Sequence, residues 1–268
     1  MKAFKEFQRE DKSFWFFIRF ISEKLKYSDT EAGAVKTYTF SQIDNLCKKE
    51  GLNISVDRIQ RAVDYCDMRA DAINNFIYPN LMDVQQAQTE YNKLYSAGTY
   101  TKKFPMNKQK GAKKNVNFFA AIVIMLTENA VKAKGKDFDA DPHGLVYFLK
   151  NGKIVGSSSR RLDGAYPSIY SPELVWEIKE YYYTTSFGSR VADAVYETQL
   201  DGYEFDEIYN RAGVKVRHVL LVDSDTWWSQ GKSYLCRLID ALNQGLVDDV
   251  IFGAEVFTEW PKILNEYV

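Results

Sequence analysis

Three residues in the second half of the chain, Asp163, Glu177 and Lys179, have types and spacing suited to metal-assisted chemistry. They lie in the segment 160–182, RRLDGAYPSIYSPELVWEIKEYY. Side chains alternate along a strand, so Glu173, Val175, Glu177 and Lys179 share one face and Leu174, Trp176 and Ile178 the other. An acid and an ammonium then stand side by side on a strand whose opposite face is apolar. Charges so placed sit either at solvent or in a functional cleft. Asp163 precedes Gly164, and a hairpin return can carry its carboxylate beside that of Glu177. Hard oxygen ligands with open positions suit Mg²⁺, with Mn²⁺ as the expected substitute; Mg²⁺ keeps several waters and takes the rest of its shell from substrate phosphate. Such an ion can generate hydroxide and steady a phosphate under attack. Lys179 would orient the attacking water and offset phosphate charge.

The elements around these residues divide the chain. Residues 1–100 read as a helical domain, with Phe14, Trp15, Phe17, Ile18, Ile21 and Leu25 forming one apolar stripe. A second helix over 41–50 stops at Gly51, and Ser55 caps a third that carries Val56, Ile59, Ala62, Val63 and Cys66. That pair has the outline of a helix-turn-helix, with Arg58 and Arg61 at the start of a recognition helix; an ordinary helical hairpin is the plainer alternative. Residues 101–115 carry Lys102, Lys103, Lys108, Lys110, Lys113 and Lys114 without an acid, and read as a basic linker. Lys113 and Lys114 suit phosphate contacts there as well as a solvated loop.

From 116 to 268 the pattern alternates. A buried helix is expected over 116–131, then strands 145–149 and 153–157 flanking Asn151-Gly152, a strong hairpin signal. A strand at 174–179, a helix at 189–200, an apolar strand at 216–222, a helix at 233–244 and a strand at 249–252 follow. The fold class is α/β of the α+β type, a mixed sheet in the order α-β-β-β-α-β with one more αβ unit.

This arrangement, D-x13-E-x-K at Asp163, Glu177 and Lys179, resembles the PD-(D/E)xK superfamily of restriction-type endonucleases. The likeness spans about residues 116–257 and includes the order of elements. It implies Mg²⁺-dependent hydrolysis of double-stranded DNA, as in a type II restriction enzyme, leaving 5'-phosphate ends. In one departure Asp163 follows Leu162, while Pro172-Glu173 supplies a displaced Pro-acid pair. Asp163 and Glu173 are therefore both candidates for the first metal ligand. Glu173 would stand about 13 Å along the strand from Glu177, which favours Asp163. The resemblance also brings the helix of Glu128 near the metal as a possible additional acid. Gln199 and Glu197 are candidates to support the site. Ser189 and Arg190 at a helix N-terminus suit phosphate.

Other classes are excluded on simple grounds. Gly231-Lys232-Ser233 lacks the glycine five positions earlier that a phosphate loop needs, Thr226 standing there, so no nucleotide cofactor is expected. Three scattered cysteines and two isolated histidines form no disulfide framework or zinc motif. The longest apolar stretch, 118–126, is too short for a membrane span, and the charged start argues against secretion, so a cytoplasmic protein is expected. A net charge of -1 means any affinity for DNA must come from local basic patches. The expectation is a site-specific endonuclease acting as a homodimer. The alternatives are a repair or junction-resolving nuclease, or a non-catalytic DNA-binding protein that has kept the fold.

Overall fold

The computed structural model describes residues 1–29, 31, 33–109, 112–183 and 187–267; for 108, 109, 112–114, 187 and 189 it describes the backbone alone. Its first unit is helical: α1 (Lys12–Leu25), α2 (Phe40–Lys49) and α3 (Val56–Asp71), with a small hairpin β1 (Ser28–Asp29) and β2 (Ala34–Val35). Each helix start has a side-chain cap, Asp11 for α1, Thr39 with Gln42 for α2 and Ser55 for α3. Gly51, at φ +69°, turns the chain between α2 and α3. Phe14, Ile18, Ile43, Ile59 and Tyr65 form the core of this unit.

A π-helical turn, Ala72–Ile77, prolongs α3 and leads to the short α4 (Tyr78–Asn80) and then α5 (Val84–Ala97). The unit boundary falls here, not at residue 100. Ala87, Val84, Tyr91 and Leu94 of α5 pack into the core of the second unit, against the helix α6 (Phe118–Lys132). The lysine-rich segment is also no plain linker: β3 (Met106–Gln109) and β4 (Ala112–Val116) pair as an antiparallel hairpin. Lysines at solvent satisfy a strand edge as readily as a loop, so composition alone could not separate the two.

The remaining elements are β5 (Asp139–Ala140), β6 (Tyr147–Lys150), β7 (Lys153–Ser157), β8 (Gly164–Tyr166), β9 (Leu174–Glu180), α7 (Phe187–Ala212), β10 (Arg217–Asp223), α8 (Thr226–Gln230), α9 (Lys232–Asn243), β11 (Asp249–Phe252) and α10 (Val256–Asn265). Five strands make one mixed sheet, ordered β11-β10-β9-β8-β5. Strands β9, β10 and β11 run parallel, while β8 is antiparallel to both β9 and β5. The fold is thus a mixed α/β sheet with helices on both faces. Trp176, Val219 and Leu221 meet α6 and α10 on one side, and Leu220 and Val222 meet α7 and α9 on the other. This two-sided burial accounts for the continuous apolar run in β10.

Two expectations need correction. The Asn151-Gly152 hairpin forms, with both residues at positive φ, but β6 and β7 stand apart as their own two-stranded sheet. Their places in the main sheet are taken by β5 and β8, which are two and three residues long and too short for a readable alternation. Helix α7 also runs on to Ala212, well past residue 200. The chain's first residues cover the free edge of the sheet: Val250 N–H donates to the Met1 carbonyl, and Lys2 bridges to Asp249. Among the described residues no helix is long and apolar enough to cross a membrane.

Candidate metal and phosphate site

Strand β9 carries the cluster, and β8 brings Asp163 to it. Gly164 pairs with Trp176 and Ala165 with Val175, so Asp163, one step earlier, comes level with Glu177. The Asp163 N–H donates to the Trp176 carbonyl at 3.1 Å, and Ile178 N–H donates to Asp163 Oδ2 at 2.7 Å. Gly164 is required by this crossing, because a Cβ there would meet the Trp176 ring at 2.0 Å. Asp163 therefore lies level with Glu177 just ahead of β8, with Gly164 inside the strand and not in a turn.

On the α7 face of β9 the charges are matched. Lys179 Nζ donates to Glu177 Oε1 at 2.6 Å and to Glu197 Oε2 of α7. Arg160 Nη1 donates to the same Glu177 oxygen at 3.1 Å, and its Nε and Nη2 hold Asp201, which is wholly buried. Glu177 is 5% exposed and Lys179 8%. Burial works to raise the Glu177 pKa, but the two cations outweigh it and the net shift is down. For Lys179 burial pulls the other way and Glu177 and Glu197 win, so the ammonium is held protonated. Burial lifts Asp201 to about 6 despite Arg160.

Asp163 behaves differently. Burial first, then the facing Glu177 charge, pushes its pKa up to about 8. It lines a pocket of about 200 Å³ together with Asp141, Lys179, Glu180, Tyr181 and the start of α6 at Asn117 and Ala120. Glu180 accepts from Ala120 N–H at 2.9 Å, and burial raises it also to about 8. Among the described residues no group of three His, Cys, Asp or Glu side chains is arranged to hold a metal ion. One atom nonetheless asks for a partner: Glu177 Oε2 is buried and accepts no hydrogen bond from the described residues. An orphaned carboxylate oxygen opposite a second carboxylate fits a hard divalent cation whose remaining ligands are water and phosphate.

The other sequence candidates lie elsewhere. Glu173 is exposed beyond the opposite end of β9, beside Lys215, Arg217 and Asp249. Glu128 is buried and fastens the α5–β3 connection, accepting from Thr101 N–H at 2.8 Å and Thr101 Oγ1 at 2.6 Å and pairing with Lys132. Burial opposes its ionisation, yet those donors bring it down to about 2. Gln199 faces a second pocket with Trp15, Arg19 and Arg237, and the α7 residues that reach the cluster are Glu197 and Asp201. Arg58 is engaged by Glu10, Asp11 and Ser13, and Arg61 by Glu10 and the Glu6 carbonyl with its guanidinium 4.0 Å over the Phe7 ring. Both arginines tie the N-terminal segment to α3. Arg190 is exposed near the start of α7, and its carbonyl accepts from Tyr181 Oη. The side chains of Lys113, Lys114 and Ser189 lie outside the described residues.

Sequence reading missed Arg160, Asp201 and Glu180. Glu197 and Asp201 stand four apart on one helix, a spacing that puts them on one face, and Arg160 lies three residues before Asp163. That much signal was present. The fold and site define an α/β protein with a charged cluster at a strand pair of a mixed sheet. Residues 82–267 match the family model described as a domain of unknown function, DUF7687, and residues 1–76 match another, DUF7690. The first match spans more than half of the chain, which therefore belongs to the DUF7687 family. The two matches meet near the α3–α5 boundary seen in the fold. No curated protein matches the chain, and no solved structure does.

Proposed function

We propose that the protein is a Mg²⁺-dependent endonuclease of the PD-(D/E)xK kind, cutting double-stranded DNA at specific sites as type II restriction enzymes do. Mn²⁺ would substitute, the ends would carry 5'-phosphate, and the protein would act in the cytoplasm as a homodimer without a nucleotide cofactor. The observation that carries this reading is the β8–β9 register that brings Asp163 level with Glu177, whose Oε2 has no partner among the described residues. The succession α6-β5-β8-β9-α7-β10 supports it, being helix, three antiparallel strands, helix and parallel strand.

In this reading Asp163 and Glu177 would hold the cation through carboxylate oxygens. The ion, when bound, supplies the charge that activates water and steadies the phosphate. Arg160 keeps Glu177 in position through Asp201, so the carboxylate has little freedom to turn away. Lys179, held between Glu177 and Glu197, keeps an ammonium at the pocket wall where a phosphate would dock.

A second reading is a DNA-binding protein that keeps the fold without hydrolysis. It draws on one observation: Lys179 and Arg160 are each met by more than one carboxylate, as in a structural ion-pair network. A plasmid-cleavage assay separates the two. Discrete fragments with Mg²⁺, lost with chelator, are expected from the endonuclease. Non-specific nicking would move the reading to a repair or junction nuclease, and binding without any cleavage to the second reading.

A further inference from the structure

Past the end of β10 lies a second feature that the cluster does not use. Tyr78 of α4 stacks on Trp228 of α8 with ring centroids 4.1 Å apart and planes 21° from parallel. Lys232, the first residue of α9, holds Nζ 4.3 Å from the Trp228 centroid and donates to the Trp228 carbonyl at 2.7 Å. Tyr78 is 46% exposed although Trp228 covers one face, so the open surface is its other face and edge. Among the described residues Lys232 joins no ion pair.

The platform is tied to the sheet at two points. A Cβ on Gly253, at φ +49°, would come within 1.9 Å of the Asn80 carbonyl, so the turn carrying Tyr78 rests directly on the end of β11. Asp223, the last residue of β10, accepts from Met82 N–H at 2.8 Å and fastens the other end of that turn. The helix α8 that carries Trp228 leads out of the strand ends that hold the candidate site. Strands β9 and β10 end in register, Lys179 beside Val222 and Glu180 beside Asp223, and α8 follows directly. Tyr181, which lines the Asp163 pocket, lies 5.4 Å from the ring of Trp227.

We propose that Tyr78, Trp228 and Lys232 bind an unpaired nucleotide of the DNA strand next to the reactive cluster. This rests on the nuclease reading. A flat exposed ring accepts the face of any base, and a nearby ammonium suits its phosphate. Asn75, Asp225, Ser229 and Gln230, near the platform in sequence, are exposed and polar, and Phe76 adds a second exposed ring. Bases within a duplex have no free face, so the ligand class is a strand end, loop, flap or extruded nucleotide.

The test reads binding with chelator present, so that no cleavage occurs. Fluorescence anisotropy would follow a labelled oligothymidylate of about 20 nucleotides, and a blunt duplex of equal length, with wild type, Tyr78→Ala and Tyr78→Phe. Tyr78→Ala should weaken oligothymidylate binding about tenfold or more, Tyr78→Phe should keep it, and duplex binding should change far less. Unchanged oligothymidylate affinity in Tyr78→Ala, equal losses on the duplex, or no wild-type binding of oligothymidylate would each overturn the proposal. If Tyr78→Ala fails to fold, Tyr78→Leu removes the ring and keeps its bulk. Cleavage by Glu177 variants is measured separately. An active Glu177→Ala would sink the nuclease centre while the Tyr78 result still judged the platform.

Discussion

Strand β9 divides its charges between two environments only one residue apart. Glu177 and Lys179 point toward α7, where Arg160, Glu197 and Asp201 match them with opposite charges. Glu180 points the other way, toward the start of α6, with Asp163 and Asp223 as neighbours. The paired carboxylate is held below its ordinary range, while Asp163, Glu180 and Asp223 are all pushed up to about 8, by burial before anything else. Backbone amides reach each of these three acids, yet they do not offset burial as the two cations do for Glu177. The lesson is that burial alone does not set the ionisation of an acid. Asp163 stands where the two environments meet, level with Glu177 yet without a cation bonded to it, and that is where an added divalent ion would change most.

The largest expected effect tests this meeting point. Asp163→Asn and Glu177→Ala should each lower Mg²⁺-dependent cleavage by about two to three orders of magnitude or more, because they remove charge needed mainly in the transition state. Glu173→Gln, beyond the far end of β9, should leave cleavage within about twofold, since an exposed side chain there touches nothing in the cluster. Initial rates of supercoiled-plasmid cleavage decide it. A dead Glu173→Gln beside an active Asp163→Asn would move the metal to the Pro172-Glu173 pair.

The next effect is on stability and should differ between the faces. Arg160→Ala strands the wholly buried Asp201 and removes one partner of Glu177. Breaking such a pair from one side costs about 3 kcal/mol or more. Glu180→Gln instead removes a carboxyl that has no cation bonded to it and can still accept from Ala120 N–H, so its cost should stay under about 1 kcal/mol. Urea denaturation of both variants at neutral pH gives the comparison. Equal losses would mean that the two faces are not electrostatically distinct.

How much of this was legible follows from what each residue needs. Alternation in β9 and a continuous apolar run in β10 are strong signals, so both strands and the facing of Glu177 and Lys179 could be read directly. The Asp163–Glu177 spacing worked because one turn and a short strand leave few ways to return. Strands β5 and β8 were not legible, since a pair of residues has no period and their sheet neighbours are set by tertiary contact. The partners of Arg58 and Arg61 were hidden for a related reason. Basic residues at the start of a helix suit DNA, yet here Glu6, Glu10 and Asp11, some fifty residues earlier, claim both side chains. Arg160 and Asp201 required knowing that α7 crosses the E-x-K face, which no local pattern encodes.

The smallest effect concerns Asp223, at the unpaired end of the comparison. Its Oδ1 accepts from Met82 N–H and Ser224 N–H, and Oδ2 accepts from the Tyr182 hydroxyl. Burial raises its pKa from 3.8 to about 8 against those donors, so near neutrality the folded chain holds a proton that the unfolded chain has released. Stability from this group is therefore full below the unfolded value of 3.8 and is lost as pH rises toward about 8. Asp223→Asn cannot titrate and leaves an amide oxygen for the two backbone donors. Its melting temperature should vary less between pH 5 and pH 8 than that of wild type, by a few degrees at about 2–4 °C per kcal/mol. The same substitution in the paired cluster, at Asp201, should lower the melting temperature at both pH values, because Arg160 loses a charged partner. Thermal scans of both variants at the two pH values make the contrast. Parallel profiles for wild type and Asp223→Asn would show that Asp223 stays ionised in the folded chain, and the distinction between a paired and an unpaired face of the sheet would lose its electrostatic basis.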